Sequence, residues 1–170
     1  ANSLIKNLNE DNKIKKYPIN IIRCDDCTLL QIDYIVDQKE VYHLEYPYLP
    51  GITKTVDNEQ KELCDFLVKE LKLEKKDLVV DIGSNDGSLL KHFKSYSLNT
   101  VGVEPTNIAK IANHNKIKTI QTFFNKNSAE NIIKDQGKAK LITSTNNKYK
   151  CLCSHVNSWR CYGRHCKITR

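Results

Sequence analysis

The chain has 170 residues, 39% hydrophobic and 28% charged. That is enough for one ordinary domain with a small appendage and excludes a disordered chain, while no apolar run approaches the roughly 20 residues of a membrane-spanning helix. The net charge of +7 belongs to the tail: residues 147–170 hold Lys148, Lys150, Arg160, Arg164, Lys167 and Arg170 and no acid, and without those six the 27 Lys and Arg fall to 21 against 20 Asp and Glu. The body has no basic stripe interleaved with aromatics, so neither nucleic acid nor a membrane is expected as a partner.

The opening "ANSLIKNLNEDNKIKK" is polar and lacks the apolar core of a signal peptide, so a cytoplasmic location is expected. It does not begin with Met, and the chain contains none, so it reads as a fragment. "YPINIIRCDDCTLLQIDY" reads as two short strands around a knuckle that carries Cys24 and Cys27. A CxxC on such a knuckle is half of a zinc site, which for a structural metal needs four ligands. A redox role fits less well, because thioredoxin-type motifs open a helix and Asp25 and Asp26, between the two thiols, disfavour a thiolate. "KEVYHLEYPYLPGITKT" reads as a loop rich in Tyr and Pro.

"VDNEQKELCDFLVKELKL" places Leu63, Phe66, Leu67 and Leu71 at helical spacing, with Cys64 as a small core residue. Strands and helices then alternate. "DLVVDIG", "NTVGVEP", "KTIQTFF" and "AKLITSTN" read as strands, and "GSLLKHFKSY", "NIAKIANHN" and "NSAENIIKDQG" as helices. Such alternation implies right-handed βαβ units around a parallel sheet.

"VVDIGSNDGSLLKHF" carries the chemistry. A tight turn at the carboxyl end of the first buried strand stands where ligands bind in open α/β sheets. Gly83 and Gly87 let the backbone bend and approach a ligand closely. The dinucleotide fingerprint is G-x-G-x-x-G; here the spacing is G-x-x-x-G, with Asp81 two residues before the first glycine. A carboxylate there repels a pyrophosphate and suits a cationic amino group or sulfonium. The next strand ends in Glu104, 17 residues beyond Gly87, where a carboxylate can accept both hydroxyls of a ribose. An adenosine with a zwitterionic amino-acid arm, S-adenosylmethionine, meets these demands.

"VVDIGSNDGSLL" and "VGVEP" resemble the first two motifs of class I S-adenosylmethionine-dependent methyltransferases. The resemblance implies that Asp81, Gly83, Ser84, Asn85 and Gly87 line the methionine arm, that Glu104 holds the ribose, that Pro105 shapes the adenine side, and that Thr145 and Asn146 lie near the cofactor. "CxxCxLxQ", the Tyr-rich loop and "DIGSNDG" together resemble the sugar C-methyltransferases, which act on nucleotide-linked ketodeoxyhexoses and carry an N-terminal zinc-binding domain. By that resemblance Cys24 and Cys27 are the second of two zinc-holding pairs, and Tyr46 or Tyr48 contacts the substrate or its enolate.

The expected fold class is therefore α/β: a partial Rossmann-like class I methyltransferase sheet with a small N-terminal zinc-knuckle remnant. Residues 1–45 would be that remnant and residues 46–146 the partial cofactor domain. The expected partner is a small-molecule substrate, a nucleotide-linked sugar; the sequence does not specify an oligomeric state. A methyltransferase with another small-molecule acceptor and a non-enzymatic zinc or nucleic-acid binding module are the alternatives.

The tail "NKYKCLCSHVNSWRCYGRHCKITR" has four of the seven cysteines, the one Trp and no periodicity. Its Cys and His spacings match no standard zinc pattern. Codons permitted for Asn147 onward, read one base later, allow "NVFAH" and "VGIARLL", which resemble the segment after the "LITxTN" strand in the sugar C-methyltransferases. Residues 147–170 are thus expected to be a frame-shifted segment without evolved function. Resequencing the encoding DNA is expected to show a one-base change near codon 147 that restores this frame; a confirmed frame through Arg170 would count against it.

Overall fold

The structure is a computed structural model that describes residues 15–23, 28, 30–42, 49, 51 and 53–145. β1 (Ile21–Arg23) and β2 (Leu30–Ile32) form the expected antiparallel hairpin, with Ile22 opposite Gln31. Outside the hairpin, Tyr17 stacks on Tyr34 at 5.7 Å, and Lys15 and Tyr17 both donate to Glu40. Glu40 sits on a single turn of helix, α1 (Gln38–Val41), inside the stretch expected to be loop. The tyrosine pair 46 and 48, the cysteine pair 24 and 27, Asn146 and the tail all lie outside the described residues.

α2 (Lys54–Glu70) is the amphipathic helix expected from its spacing. Its inward face is made by Cys64 and Leu67, with Leu63 and Leu71 packed beside them. Phe66 does not join them; it is 49% exposed. At about 100° per residue, Phe66 is turned away from Leu63 and Leu67 by roughly a quarter turn, and the smaller Cys64 takes the buried position. The Cys64 thiol is pushed up to about 12 by its burial and by Asp65 beside it, which makes it an inert core residue.

Then come β3 (Leu78–Ile82), α3 (Ser88–Ser95), β4 (Asn99–Val103), α4 (Ile108–His114), β5 (Thr119–Ile120), α5 (Lys126–Gln136) and β6 (Leu141–Thr143). The four longer-range strands make one parallel sheet in the order β5-β4-β3-β6. β3 is central and buried throughout. The stretch expected as the third strand contributes only two residues: Asn113 covers the outer edge of Thr119, accepting from its N and donating to its O, and after Ile120 the chain turns away, with Thr122 N donating back to Ile120 O.

Alternation along β3 divides the core into two layers. Val79 packs with Cys64, Leu89, Leu90, Phe93 and Ile117, under α2, α3 and the end of α4. Leu78 and Val80 pack with Val101, Val103 and Ile132 of α5 on the opposite face. α5 is started by a reciprocal cap in which Asn125 and Ser128 each satisfy the other's backbone N–H. Phe93 and Leu90 are wholly buried, and losing either side chain would cost about 2–5 kcal/mol.

Gly102 decides how the sheet meets the turn after β3. It stands beside Asp81 in the sheet register, and Ser84 folds into the space where its side chain would be. A Cβ at Gly102 would collide with Ser84 Oγ and lie 2.8 Å from Thr119 Oγ1. Gly102→Ala is expected to destabilise the protein by about 1–3 kcal/mol, read as a lower urea midpoint at unchanged slope. An unchanged midpoint would mean that Ser84 relaxes freely.

Candidate functional site

The candidate site lies at the carboxyl ends of β3 and β4, at the crevice where such sheets bind ligands. Five residues, Gly83 to Gly87, carry the chain from β3 into α3. Three of them have left-handed backbones: Gly83 at φ 73°, Asn85 at φ 51° and Gly87 at φ 78°. Glycine takes this conformation freely, and Asn is among the few side chains that tolerate it. At Gly87 there is a second constraint, since an added Cβ would stand 2.8 Å from Ile117 Cγ2.

The turn is clasped onto the end of β4. Gly83 N and Ser84 N both donate to Val103 O, at 2.8 and 3.3 Å. Asn85 N donates to Glu104 Oε2 at 3.1 Å. On the α3 side, Asp86 Oδ1 accepts from Ser88 N at 3.2 Å and Oδ2 from Gly51 N at 3.1 Å, so one carboxylate takes the first amide of α3 and ties down Gly51 before α2. A groove of about 390 Å³ opens there between Gly51, Asp57, Asp86 and Lys91. It touches the turn at Asp86 and Gly87 and does not include Glu104.

Glu104 is 5% exposed and fully engaged on one oxygen. Oε1 accepts from Thr106 N at 2.9 Å and from Thr106 Oγ1 at 2.7 Å. Thr106 is wholly buried and gave no signal in the sequence analysis. A carboxylate with Thr two residues later is the pattern of a local side-chain turn, and that is the cue that could have found it.

Asp81 is 2% exposed, and its Oδ1 accepts from Thr143 Oγ1 at 2.7 Å. The register pairs Asp81 with Thr143 of β6, 62 residues away in sequence. Burial pushes the Asp81 carboxyl up to about 6; the Thr143 hydrogen bond offsets part of that push and the nearby Glu104 charge adds to it.

The structure thus brings Asp81, Gly83, Asn85, Gly87 and Glu104 to one end of the sheet. Pro105 is half-buried directly after Glu104, and Thr145 is half-buried two residues beyond β6. Ser84 is placed differently from the rest of the turn. It is 4% exposed, points under the turn toward Gly102, and its Oγ has no hydrogen-bond partner among the described residues. The described residues contain no group of three His, Cys, Asp or Glu able to hold a metal, so they give the zinc-knuckle expectation no support. None of their helices is long and apolar enough to cross a membrane.

The parallel sheet and its βα crossovers define a Rossmann-like α/β protein, with the left-handed turn and the acid ending β4 at one end of the sheet. No protein-family model matches the chain. It is similar to the C-methyltransferase NovU of Streptomyces niveus, with 29% identity over 127 residues, 74% of this chain. The aligned part is 30% of that relative, so the chain spans less than a third of its length. This similarity and the parallel sheet together support a class I methyltransferase.

The raised Asp81 carboxyl has a consequence for stability. An acid whose folded value lies above its unfolded one, here about 6 against 3.8, holds its proton better in the folded state. Its contribution to stability is therefore greatest below pH 4, falls as pH rises from about 4 to 6, and becomes the full penalty above that. Asp81→Asn keeps an acceptor for Thr143 and removes the charge. It is expected to stabilise the protein by about 1–3 kcal/mol at pH 7.5 and by almost nothing at pH 4. Urea denaturation at the two pH values checks this; an equal effect at both would exclude charge burial as the cause.

Proposed function

We propose that this chain is the cofactor-binding part of an S-adenosylmethionine-dependent methyltransferase that methylates carbon on a nucleotide-linked keto sugar. The observation that carries the reading is the Glu104 carboxylate, held rigid at the end of β4 and facing a left-handed turn at the end of β3. The similarity to a C-methyltransferase supports the reaction class.

The residues present fit the cofactor. Glu104 Oε2 keeps acceptor capacity for a ribose hydroxyl, since among the described residues only Asn85 N uses it. Gly83 and Asn85, half-buried with left-handed backbones, stand where the amino-acid arm would run, and Gly87, buried, closes the turn onto α3. Asp81 and Glu104 together make this end of the sheet acidic, which favours a cationic sulfonium over a pyrophosphate. Asp81 acts here as a buried charge rather than as a contact residue, because its carboxylate is turned toward Thr143. When bound, S-adenosylmethionine supplies an electrophilic methyl group.

C-methylation beside a ketone needs a base for the α proton, a donor for the enolate oxygen and in-line placement of the two carbons. In this reading Tyr46 or Tyr48 serves the enolate, and the base comes from outside residues 1–146. Zinc at Cys24 and Cys27 belongs to the same reading through the resemblance of the CxxC segment.

Isothermal titration of the 170-residue chain with S-adenosylhomocysteine tests the reading. Saturable binding is expected. Glu104→Ala should weaken it by about tenfold or more, the effect of losing a hydrogen bond to a charged group. Absence of binding to the unaltered chain, with circular dichroism showing it folded, would overturn the proposal.

A further inference from the structure

Two polar ties hold the entry of α2 against the first half of α3. Gly51 N donates to Asp86 Oδ2 at 3.1 Å, and Asp57 Oδ1 meets His92 Nε2 at 2.9 Å. A groove of about 390 Å³ runs between Gly51, Asp57, Asp86 and Lys91, and the apolar cluster takes in α2 only from Leu63 onward. At this end of α2 the ties therefore set its distance from α3. The first tie is a close approach. A Cβ on residue 51 would stand 2.6 Å from Asp86 Oδ2 and 3.2 Å from Ser88 Cβ, so glycine alone lets the chain pass here.

Asp86 is itself held in place. Its N donates to Asn85 Oδ1 at 2.8 Å, and its Oδ1 accepts from Ser88 N at 3.2 Å. Its neighbour Asn85 sends its own amide to Glu104 Oε2. One peptide unit thus separates the amide that reaches the acid ending β4 from the carboxylate that holds Gly51. Gly51 in turn follows Tyr48 by three residues and Tyr46 by five.

We propose that Asp86 is a positioning residue for the methyl transfer: through Gly51 it sets the segment entering α2 in register with the turn after β3. The proposal rests on the cofactor reading of that turn and gives Asp86 no contact with either reactant. A reaction between two bound carbons loses rate steeply when one of them is displaced by about an ångström. A side chain that joins the donor's turn to a second part of the chain controls that displacement. A ligand on the turn holds Asp86 still, and Asp86 holds Gly51.

Hydrogen–deuterium exchange of the 170-residue chain, with and without S-adenosylhomocysteine, tests this link. The ligand should slow exchange in the peptide that carries Gly51 by about fivefold or more. In Asp86→Ala that peptide should exchange faster without ligand, and the ligand should no longer slow it, while peptides from β3 and β4 keep their protection. Loss of stability alone would speed exchange in all these peptides and leave the ligand's effect at Gly51 intact. Asp86→Asn has one acceptor oxygen for two amides and should show the same loss in smaller degree; it decides the matter if Asp86→Ala does not fold. The proposal is wrong if the ligand binds the unaltered chain without slowing the Gly51 peptide, or if it slows that peptide equally in the variants. A calorimetric titration run alongside separates the two failures. Absent binding would overturn the cofactor reading and this role with it, whereas binding without the exchange effect overturns this role alone.

Discussion

Everything at the carboxyl end of the sheet depends on how the turn after β3 is clasped to the end of β4. Two amides, from Gly83 and Ser84, converge on Val103 O, and a third, from Asn85, reaches the Glu104 carboxylate. These bonds are possible only because the chain reverses through three left-handed residues and because Gly102 leaves room for Ser84 beneath. Take away the glycine at 102 and Ser84 must move; move Ser84 and the amide row loses its aim. The turn is thus a rigid extension of the sheet, which is the condition for a site that holds its geometry before a ligand arrives.

Rigidity here carries a cost in charge. Asp81 and Glu104 end neighbouring strands, both are buried, and their mutual repulsion adds to the burial that raises the Asp81 carboxyl. Thr143 and Thr106 soften this by donating hydroxyls to the two carboxylates from opposite sides. A protein selected for stability alone would not place two acids so near each other in a low-dielectric crevice. The charge cost is concentrated at the carboxyl end of the sheet, where the proposed site lies, rather than in the apolar core.

Particular elements show where sequence reasoning reached its limit. The period of α2 identified a buried stripe, yet it included Phe66, which is 49% exposed, because spacing alone does not show that the small Cys64, on nearly the opposite side of the helix, centres the buried face. "KTIQTFF" has strand composition, but the chain turns away after two residues, where Thr122 N donates back to Ile120 O. Within the turn, the type of each residue was readable and its direction was not: Ser84 is buried against Gly102, while Asn85 beside it is half-buried and accepts from Asp86 N.

The sequence by itself determined the alternation of strands and helices, the parallel sheet, the placement of a glycine turn after the first buried strand and the acid that ends the second. Those properties arise from local rules: period, glycine spacing and the chemistry of single side chains. Tertiary structure alone decided the partners. Thr143 meets Asp81 across 62 residues because the β3–β6 register aligns them, and Ser84 meets Gly102 because the chain curls back over a neighbouring strand. Even Glu104 and Thr106, two residues apart, form their closed arrangement only where Ile108 N and the buried end of the sheet fix the hydroxyl. Hydrogen-bond capacity is set by such three-dimensional neighbours, and so the acceptor capacity left on the Glu104 carboxylate is a property of the fold.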